Sequence, residues 1–278
     1  MIKSLLVAVD SSEYAKTALH HALALAGPYG AGLTGLYVLD IRFLEMPPYL
    51  DYSGTFEHVQ STILPIDVLE KYREKSERIL GDFRDTVEKA GLKAETRTEE
   101  GVPSQVISEV GGGYDLVVMG KRGEHAKWGK GLLGSTAESV VRQCGTPVLL
   151  AEAAPRPIRK MMVMFDGSSP AERALKLAAD VASRTSAEIK VFTVDDDAEK
   201  GAAVQREATL YLDSAGLTAS YFLESGKAAK VAISLLQDDP VDLVVAGMQG
   251  HSALHDLILG STAEHVMRSV ALPVLLVP

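Results

Sequence analysis

Cysteine is almost absent from this chain, since Cys144 is the only one in 278 residues. One cysteine excludes an intrachain disulfide framework and a zinc site built on cysteines. Cys144 itself is either a reactive thiol or a small apolar residue packed in a helix. We favour the second interpretation, in which Cys144 ends the predicted helix segment Val-Val-Arg-Gln-Cys.

Long apolar runs and excess positive charge are missing as well. The first apolar run ends at Asp10 and is too short for a secretion signal, and no later segment approaches the roughly 18 to 20 residues of a membrane span. The net charge of -9 and the pI of about 5.3 have the wrong sign for a protein that wraps nucleic acid or binds anionic lipid. We therefore expect a cytoplasmic protein with no nucleic-acid or membrane partner.

Recognisable catalytic motifs are also missing. The chain contains no Gly-x4-Gly-Lys-Ser/Thr motif, so it is not a P-loop ATPase. Phosphoryl transfer requires metal-holding acids and a base around the γ-phosphate. Glu124 and Asp256 are single acids in the two glycine-rich loops considered below. The sequence therefore predicts no dedicated catalytic set and no metal site.

What the sequence does contain is a repeat of about half its length. Residues 114–123 return in closely similar form as residues 241–250, and residues 133–138 return letter for letter as residues 259–264. Each copy ends in Pro-Val-Leu-Leu. A unit this long implies two homologous domains rather than a solenoid.

Within each half, strand-like apolar runs alternate with helical patterns, which is typical of a parallel sheet in an α/β protein. We expect two homologous doubly wound domains, each a five-stranded parallel sheet with helices on both faces. The predicted domains are residues 1–153, with an insert at about 41–65, and residues 158–278. A capping box, Ser169-Pro-Ala-Glu172, is predicted to open the first helix of the second half.

The insert makes the first half longer. Asp10 and Asp166 are 156 positions apart, whereas Gly134 and Gly260 are 126 apart. A loop of this length inside a compact domain is usually functional or disordered. We interpret residues 41–65 either as a lid or partner-docking element, or as an excursion packed over one face of the sheet.

Glycines and hydroxyl residues follow the fourth predicted strand of each half. In the second half Gly247 and Gly250 are followed, after nine residues, by Gly260 and Ser261 at the start of a helix. Glycine lets the backbone approach an anion closely, and a helix N-terminus presents N–H groups to it. In a doubly wound sheet these residues lie at the carboxyl edge, where ligands bind. The spacing therefore predicts a phosphate cradle.

This pattern, together with an early strand that ends in aspartate, resembles the universal stress protein family. Outside residues 41–65, the whole chain resembles the tandem form of that family. The resemblance implies ATP binding, with or without Mg²⁺, in which the glycine motif holds phosphates and ribose while the aspartate and the second strand lie near the base. The residues implied in the second half are Asp166, Thr193, Gly247, Gly250, Gly260 and Ser261, and Thr193 is implied to meet the adenine through its backbone. The residues implied in the first half are Asp10, Val38, Gly120, Gly123, Gly134 and Ser135.

The two halves differ in ways that affect this prediction. Ten residues rather than nine separate Gly123 from Gly134, which favours the second half on geometry. Charge favours the first half for a triphosphate. Its loop carries Lys121, Arg122, Lys127 and Lys130, whereas the second loop carries His251, His255 and Asp256. We predict that both halves bind nucleotide.

The leading hypothesis is a stress-associated regulatory protein that binds an adenine nucleotide and presents a surface to an unknown protein partner. A slow ATPase or phosphotransferase and a ligand-free interaction scaffold are the alternatives. The last strand of each domain is apolar and would be an exposed edge, so we expect the halves to pair with each other around a pseudo-twofold axis. Homodimerisation of the whole chain is a further expectation. His20 and His21 are predicted to be solvent-facing or half-buried rather than metal ligands.

Overall fold

The computed structural model describes residues 1–43, 66–124, 133–249 and 259–278. The alternatives for the insert beyond residue 43 and the prediction for Gly250 lie outside these residues. Within them, no helix is both long and apolar enough to cross a membrane.

The described elements alternate along both halves, as the sequence predicts. The first half contains β1 (Ser4–Ala8), α1 (Glu13–Ala26), β2 (Gly32–Asp40), α2 (Ile66–Lys89), β3 (Ala94–Gly101), α3 (Pro103–Gly111), β4 (Leu116–Gly120), α4 (Ser135–Gln143) and β5 (Val148–Ala151). The second half contains β6 (Lys160–Met164), α5 (Ser169–Thr185), β7 (Glu188–Val194), α6 (Ala198–Ser214), β8 (Ala219–Glu224), α7 (Ala228–Asp238), β9 (Leu243–Gly247), α8 (Ser261–Ser269) and β10 (Val274–Val277).

The two five-stranded sheets are joined into one sheet of ten strands, in the order β3-β2-β1-β4-β5-β10-β9-β6-β7-β8. All pairings within a half are parallel. The one between the halves, β5 with β10, is antiparallel, with Leu149 opposite Leu275. This confirms the predicted fold class and the pairing of the two apolar last strands within one chain.

Helices cover both faces of the sheet. One face packs against α1, α2, α5 and α6 through residues such as Ala18, Phe83, Ala178 and Leu212. The other packs against α3, α4, α7 and α8 through residues such as Ile107, Val140 and Val266. Each core runs through both halves, so removal of apolar surface from water stabilises the joined sheet as a unit.

Helices α4 and α8 meet across the pseudo-twofold axis through charged side chains. Arg142 pairs with Glu264 at 3.1 Å, and Arg268 pairs with Glu138 at 2.6 Å. Each arginine also pairs with the glutamate four residues earlier on its own helix. The identical Gly-Ser-Thr-Ala-Glu segments thus place matching charges on both sides of the axis, and each acid meets a base from the other half.

The structure can be compared with three local predictions, for the cap of α5, for Cys144 and for the two adjacent histidines. The first helix of the second half is capped by Ser168, whose hydroxyl accepts a hydrogen bond from the Ala171 N–H, so the predicted capping box at Ser169 is wrong by one residue. Cys144 is buried, and burial raises the pKa of its thiol, which supports the apolar interpretation. His20 is exposed, but His21 is 0% exposed, so the prediction of a solvent-facing or half-buried pair is wrong for His21.

A nucleotide-sized pocket at the carboxyl edge of the first half

A pocket of about 820 Å³ opens at the carboxyl ends of β1, β2 and β4. This volume lies in the range of roughly 300 to 1,000 Å³ that is usual for small-molecule sites. Six residues predicted from the sequence line it: Asp10, Val38, Gly120, Gly123, Gly134 and Ser135. Residues from β1, β2, β4 and the start of α4 are therefore brought together in one cavity.

The N-terminus of α4 forms one wall of the pocket. Ser135, Thr136 and Ala137 line the cavity. The helix begins at Ser135 after the N-cap Gly134, and no side chain of the described residues caps it by accepting a hydrogen bond from its first N–H groups. The Gly134 N–H donates to the Lys121 carbonyl at 2.9 Å, which fixes where the chain re-enters the helix. N–H groups at a helix start that have no side-chain partner favour an anion.

Asp10 has a structural role that repeats in the other half. Its Oδ1 accepts a hydrogen bond from the Ser12 N–H at 2.8 Å, and Ser12 in turn caps α1. Asp166 accepts from the Ser168 N–H at 3.0 Å in the same arrangement. Burial raises the pKa of Asp10, and the nearby charge of Glu124 adds to this, while the Ser12 hydrogen bonds partly offset it. The repeated aspartate therefore shapes the strand-to-helix turn beside each pocket.

The motif glycines also have packing roles. A Cβ on Gly120 would lie 2.6 Å from the Tyr14 Cβ and 2.8 Å from the Arg122 carbonyl oxygen. A Cβ on Gly247 would lie 2.8 Å from the Pro170 carbonyl carbon. These glycines let the end of the fourth strand approach the first turn of α1 or α5, so their presence alone does not identify a phosphate site.

We predict that Gly247→Ala lowers the free energy of unfolding by roughly 1–3 kcal/mol, because the methyl group meets backbone atoms that cannot rotate away. Gly81→Ala is the control. A Cβ at Gly81, inside α2, meets nothing within 4 Å. Alanine there is expected to stabilise the protein by about 0.5–1 kcal/mol. Urea denaturation measures both effects, and equal stabilities of the two variants would contradict the packing role of Gly247.

Sequence reasoning missed one wall of the first pocket, which comes from α2. Tyr72 and Lys75 lie three residues apart on this helix and both line the cavity. The Lys75 Nζ donates to the Glu124 Oε2 at 2.5 Å. The other Glu124 oxygen accepts from the Ser11 N–H at 2.7 Å. The ion pair thus joins α2 to the loop that follows β4.

The pocket of the second half is smaller, at about 240 Å³. Asp166, Gly247, Gly260 and Ser261 line it as predicted, and Gly250 lies outside the described residues. Thr193 is not among its lining residues. Its side chain is 2% exposed, and its hydroxyl has no hydrogen-bond partner among the described residues. Of the five predicted residues that the structure describes in the second half, four are therefore brought together.

The register of the strands explains the position of Thr193. The Val9 N–H donates to the Leu36 carbonyl, and the Phe165 N–H donates to the Phe192 carbonyl, so Leu36 and Phe192 occupy matching places. Two residues further along each strand, Val38 matches Val194 rather than Thr193. Val194 lines the second pocket. Successive strand residues point to opposite faces, so a shift of one residue turns the Thr193 side chain away from the pocket.

Lys121 does not serve the pocket in the way its place in the basic loop predicts. Its side chain is 5% exposed and pairs with Glu152 at 2.8 Å. Its Nζ also donates to the carbonyl oxygens of Val270 and Leu272, in the second half, at 2.6 and 3.3 Å. Burial lowers the pKa of Lys121, and the charge of Glu152 partly offsets this. The ammonium group of Lys121 therefore contributes to the contact between the two halves.

Fold and pockets together define a tandem doubly wound α/β protein with a ligand-sized cavity at the carboxyl edge of its first half. The model of the universal stress protein family matches residues 1–152 and 157–278. The chain therefore belongs to the universal stress protein family, with two such domains in tandem.

Similar proteins cover between two thirds and nearly all of the chain, at 25–31% sequence identity. A universal stress protein of Synechocystis sp. is 26% identical over 284 residues, covering 99% of both chains. One of Mycobacterium tuberculosis is 31% identical over 208 residues, covering 67% of this chain and 69% of the relative. The crystal structure of a universal stress protein from Archaeoglobus fulgidus superposes with a TM-score of 0.76 at 25% identity, covering 99% of this chain and 97% of the other.

Proposed function

We propose that this protein binds an adenine nucleotide, ATP in the first instance, in the pocket of its first half. One observation carries the proposal: six residues predicted from the sequence to hold nucleotide line one cavity of about 820 Å³. The start of α4 offers N–H groups for phosphate, and Arg122 adds a positive charge to the lining. The cavity of the second half, at about 240 Å³, falls below the usual range for such ligands.

The role that we propose is regulatory. Nucleotide binding would change a surface that a protein partner in the cytoplasm reads during stress. Mg²⁺ would enter, if at all, with the nucleotide, because the described residues contain no cluster of three or more potential metal ligands. Turnover is not needed for this role.

The first test is to denature freshly purified protein and identify any released nucleotide by chromatography, with its molar ratio. ATP near one per chain supports the proposal. ADP in its place favours the slow ATPase. No released nucleotide, together with no thermal shift in millimolar ATP, contradicts nucleotide binding and leaves the interaction scaffold.

A matched pair of variants assigns the site to one half. Val38 and Val194 occupy equivalent places and line the two pockets. We predict that Val38→Trp, which fills the first cavity, weakens ATP binding at least tenfold in calorimetric titration. Val194→Trp is predicted to leave the affinity unchanged. The reverse result would place the nucleotide in the second half.

A further inference from the structure

Glu124 and Lys75 both line the first pocket, and the Glu124 carboxylate accepts hydrogen bonds from Lys75 and from Ser11 beside the pocket. Its two oxygens accept hydrogen bonds from the Ser11 N–H, at 2.7 Å, and from the Lys75 ammonium, at 2.5 Å. Ser11 lies directly before Ser12, the N-cap of α1. A backbone N–H in the turn before a helix and an ammonium group are also donors that a phosphate accepts hydrogen bonds from.

The carboxylate of Glu124 carries its charge at neutral pH. Burial alone would raise its pKa, but the hydrogen bonds from Lys75 and Ser11 outweigh burial and lower the pKa. A second cation of the pocket is also held by an acid, since Arg42 donates to both oxygens of Asp40, at 2.8 and 2.6 Å. The pocket thus pairs two of its cations with its own acids.

Among the residues that the structure describes, the second half shows no matching contact. The residue after Gly250 is His251, which supplies no carboxylate. Lys200 stands in α6 at the same distance from the end of the helix as Lys75 does in α2, but it pairs with Asp195 at 3.5 Å and its side chain is 71% exposed. Within the described residues, the contact of Glu124 with Lys75 and Ser11 is therefore found at the larger pocket alone.

We propose that Glu124 is an internal competitor for the phosphate groups of the ligand in the first pocket. A phosphate that takes the Ser11 N–H and the Lys75 ammonium displaces the carboxylate and breaks the contact between α2 and the loop after β4. Binding of a polyphosphate is thereby linked to release of α2, whereas an uncharged nucleoside leaves the contact intact. This inference rests on the proposed function, because it assumes that nucleotide occupies this pocket.

The test compares ATP with adenosine in calorimetric titrations of the wild type and of Glu124→Gln. The amide keeps the size of the side chain and an oxygen that can accept from Ser11, but it removes the negative charge. ATP is expected to bind the variant about tenfold more tightly, and adenosine within twofold of the wild type. Lys75→Met is expected to weaken ATP binding and to leave adenosine unchanged.

Glu88→Gln controls for the change in net charge. Glu88 is an exposed residue of α2, thirteen positions beyond Lys75, or roughly 20 Å along the helix. Equal ATP affinity of wild type and Glu124→Gln, or an equal gain for ATP and adenosine, would overturn the competitor role while leaving the proposed function intact. If no protein in the series binds ATP or adenosine, the proposed function fails with it.

Discussion

Replacing Lys121 by methionine is expected to lower the free energy of unfolding by roughly 2–4 kcal/mol. The substitution keeps most of the apolar stem but removes an ammonium group with three acceptors, two of which belong to the other half. The Glu152 carboxylate then loses its counter-ion, and the carbonyl oxygens of Val270 and Leu272 lose a donor. The side chain of Glu152 is 22% exposed, so water limits the cost.

Two features of the chain allow this prediction to be tested cleanly. Met248 holds the matching position of the second half and is buried there, so methionine is compatible with the repeated backbone. Lys176→Met serves as control, because Lys176 pairs with Glu172 at 3.4 Å on an exposed face of α5. The control is expected to change stability by less than about 0.5 kcal/mol. Urea denaturation measures both, and equal effects would show that the buried contacts of Lys121 contribute nothing.

The sequence predicted the fold because two of its signals are strong. Buried parallel strands appear in the sequence as continuous apolar runs, and their alternation with helical patterns indicates the fold class. Because the second half repeats these segments, the same fold is predicted for it. The helix cap at Ser168 was missed by one residue because two serines stand side by side before Pro170.

Other features could not be predicted because they depend on contacts between distant residues. Lys75 lies in a helix rich in charged residues, and its partner is Glu124, 49 positions away. No local pattern distinguishes it from its charged neighbours. The strand that ends at Val194 is buried on both faces, and its alternation of polar and apolar residues breaks off at Val191 and Phe192, so the sequence does not fix which residue faces the pocket.

The burial of His21, in contrast, could have been predicted from the sequence. Ala18 precedes it by three positions and Leu25 follows by four, and both are buried on the inner face of α1. Helical spacing therefore places His21 on that face as well. Both ring nitrogens are buried without a hydrogen-bond partner among the described residues. A neutral histidine in this position leaves two polar atoms out of water, and a charged one is far less favourable.

The stability of the protein is accordingly expected to fall as the pH is lowered through the range of His21. Burial lowers the pKa of His21 to about 4, with a further contribution from His20, from an ordinary value of 6.5. Between these values the unfolded chain binds a proton that the folded protein does not, so stability is present above pH 6.5 and is lost as the pH falls toward 4. The expected loss between pH 8 and pH 5 is roughly 2 kcal/mol.

His21→Leu separates this contribution from that of the acidic residues, which also titrate as the pH falls. Leucine is the residue at the matching position of α5, where Leu177 packs against the same core. At pH 8 the variant is expected to be more stable than the wild type by about 1 kcal/mol, because two unpaired polar atoms are gone. At pH 5 the difference should grow to roughly 3 kcal/mol, since only the wild type must keep a histidine unprotonated. Urea denaturation of both proteins across this range gives the difference directly, and a difference that does not change with pH would mean that His21 reaches water or a partner in solution.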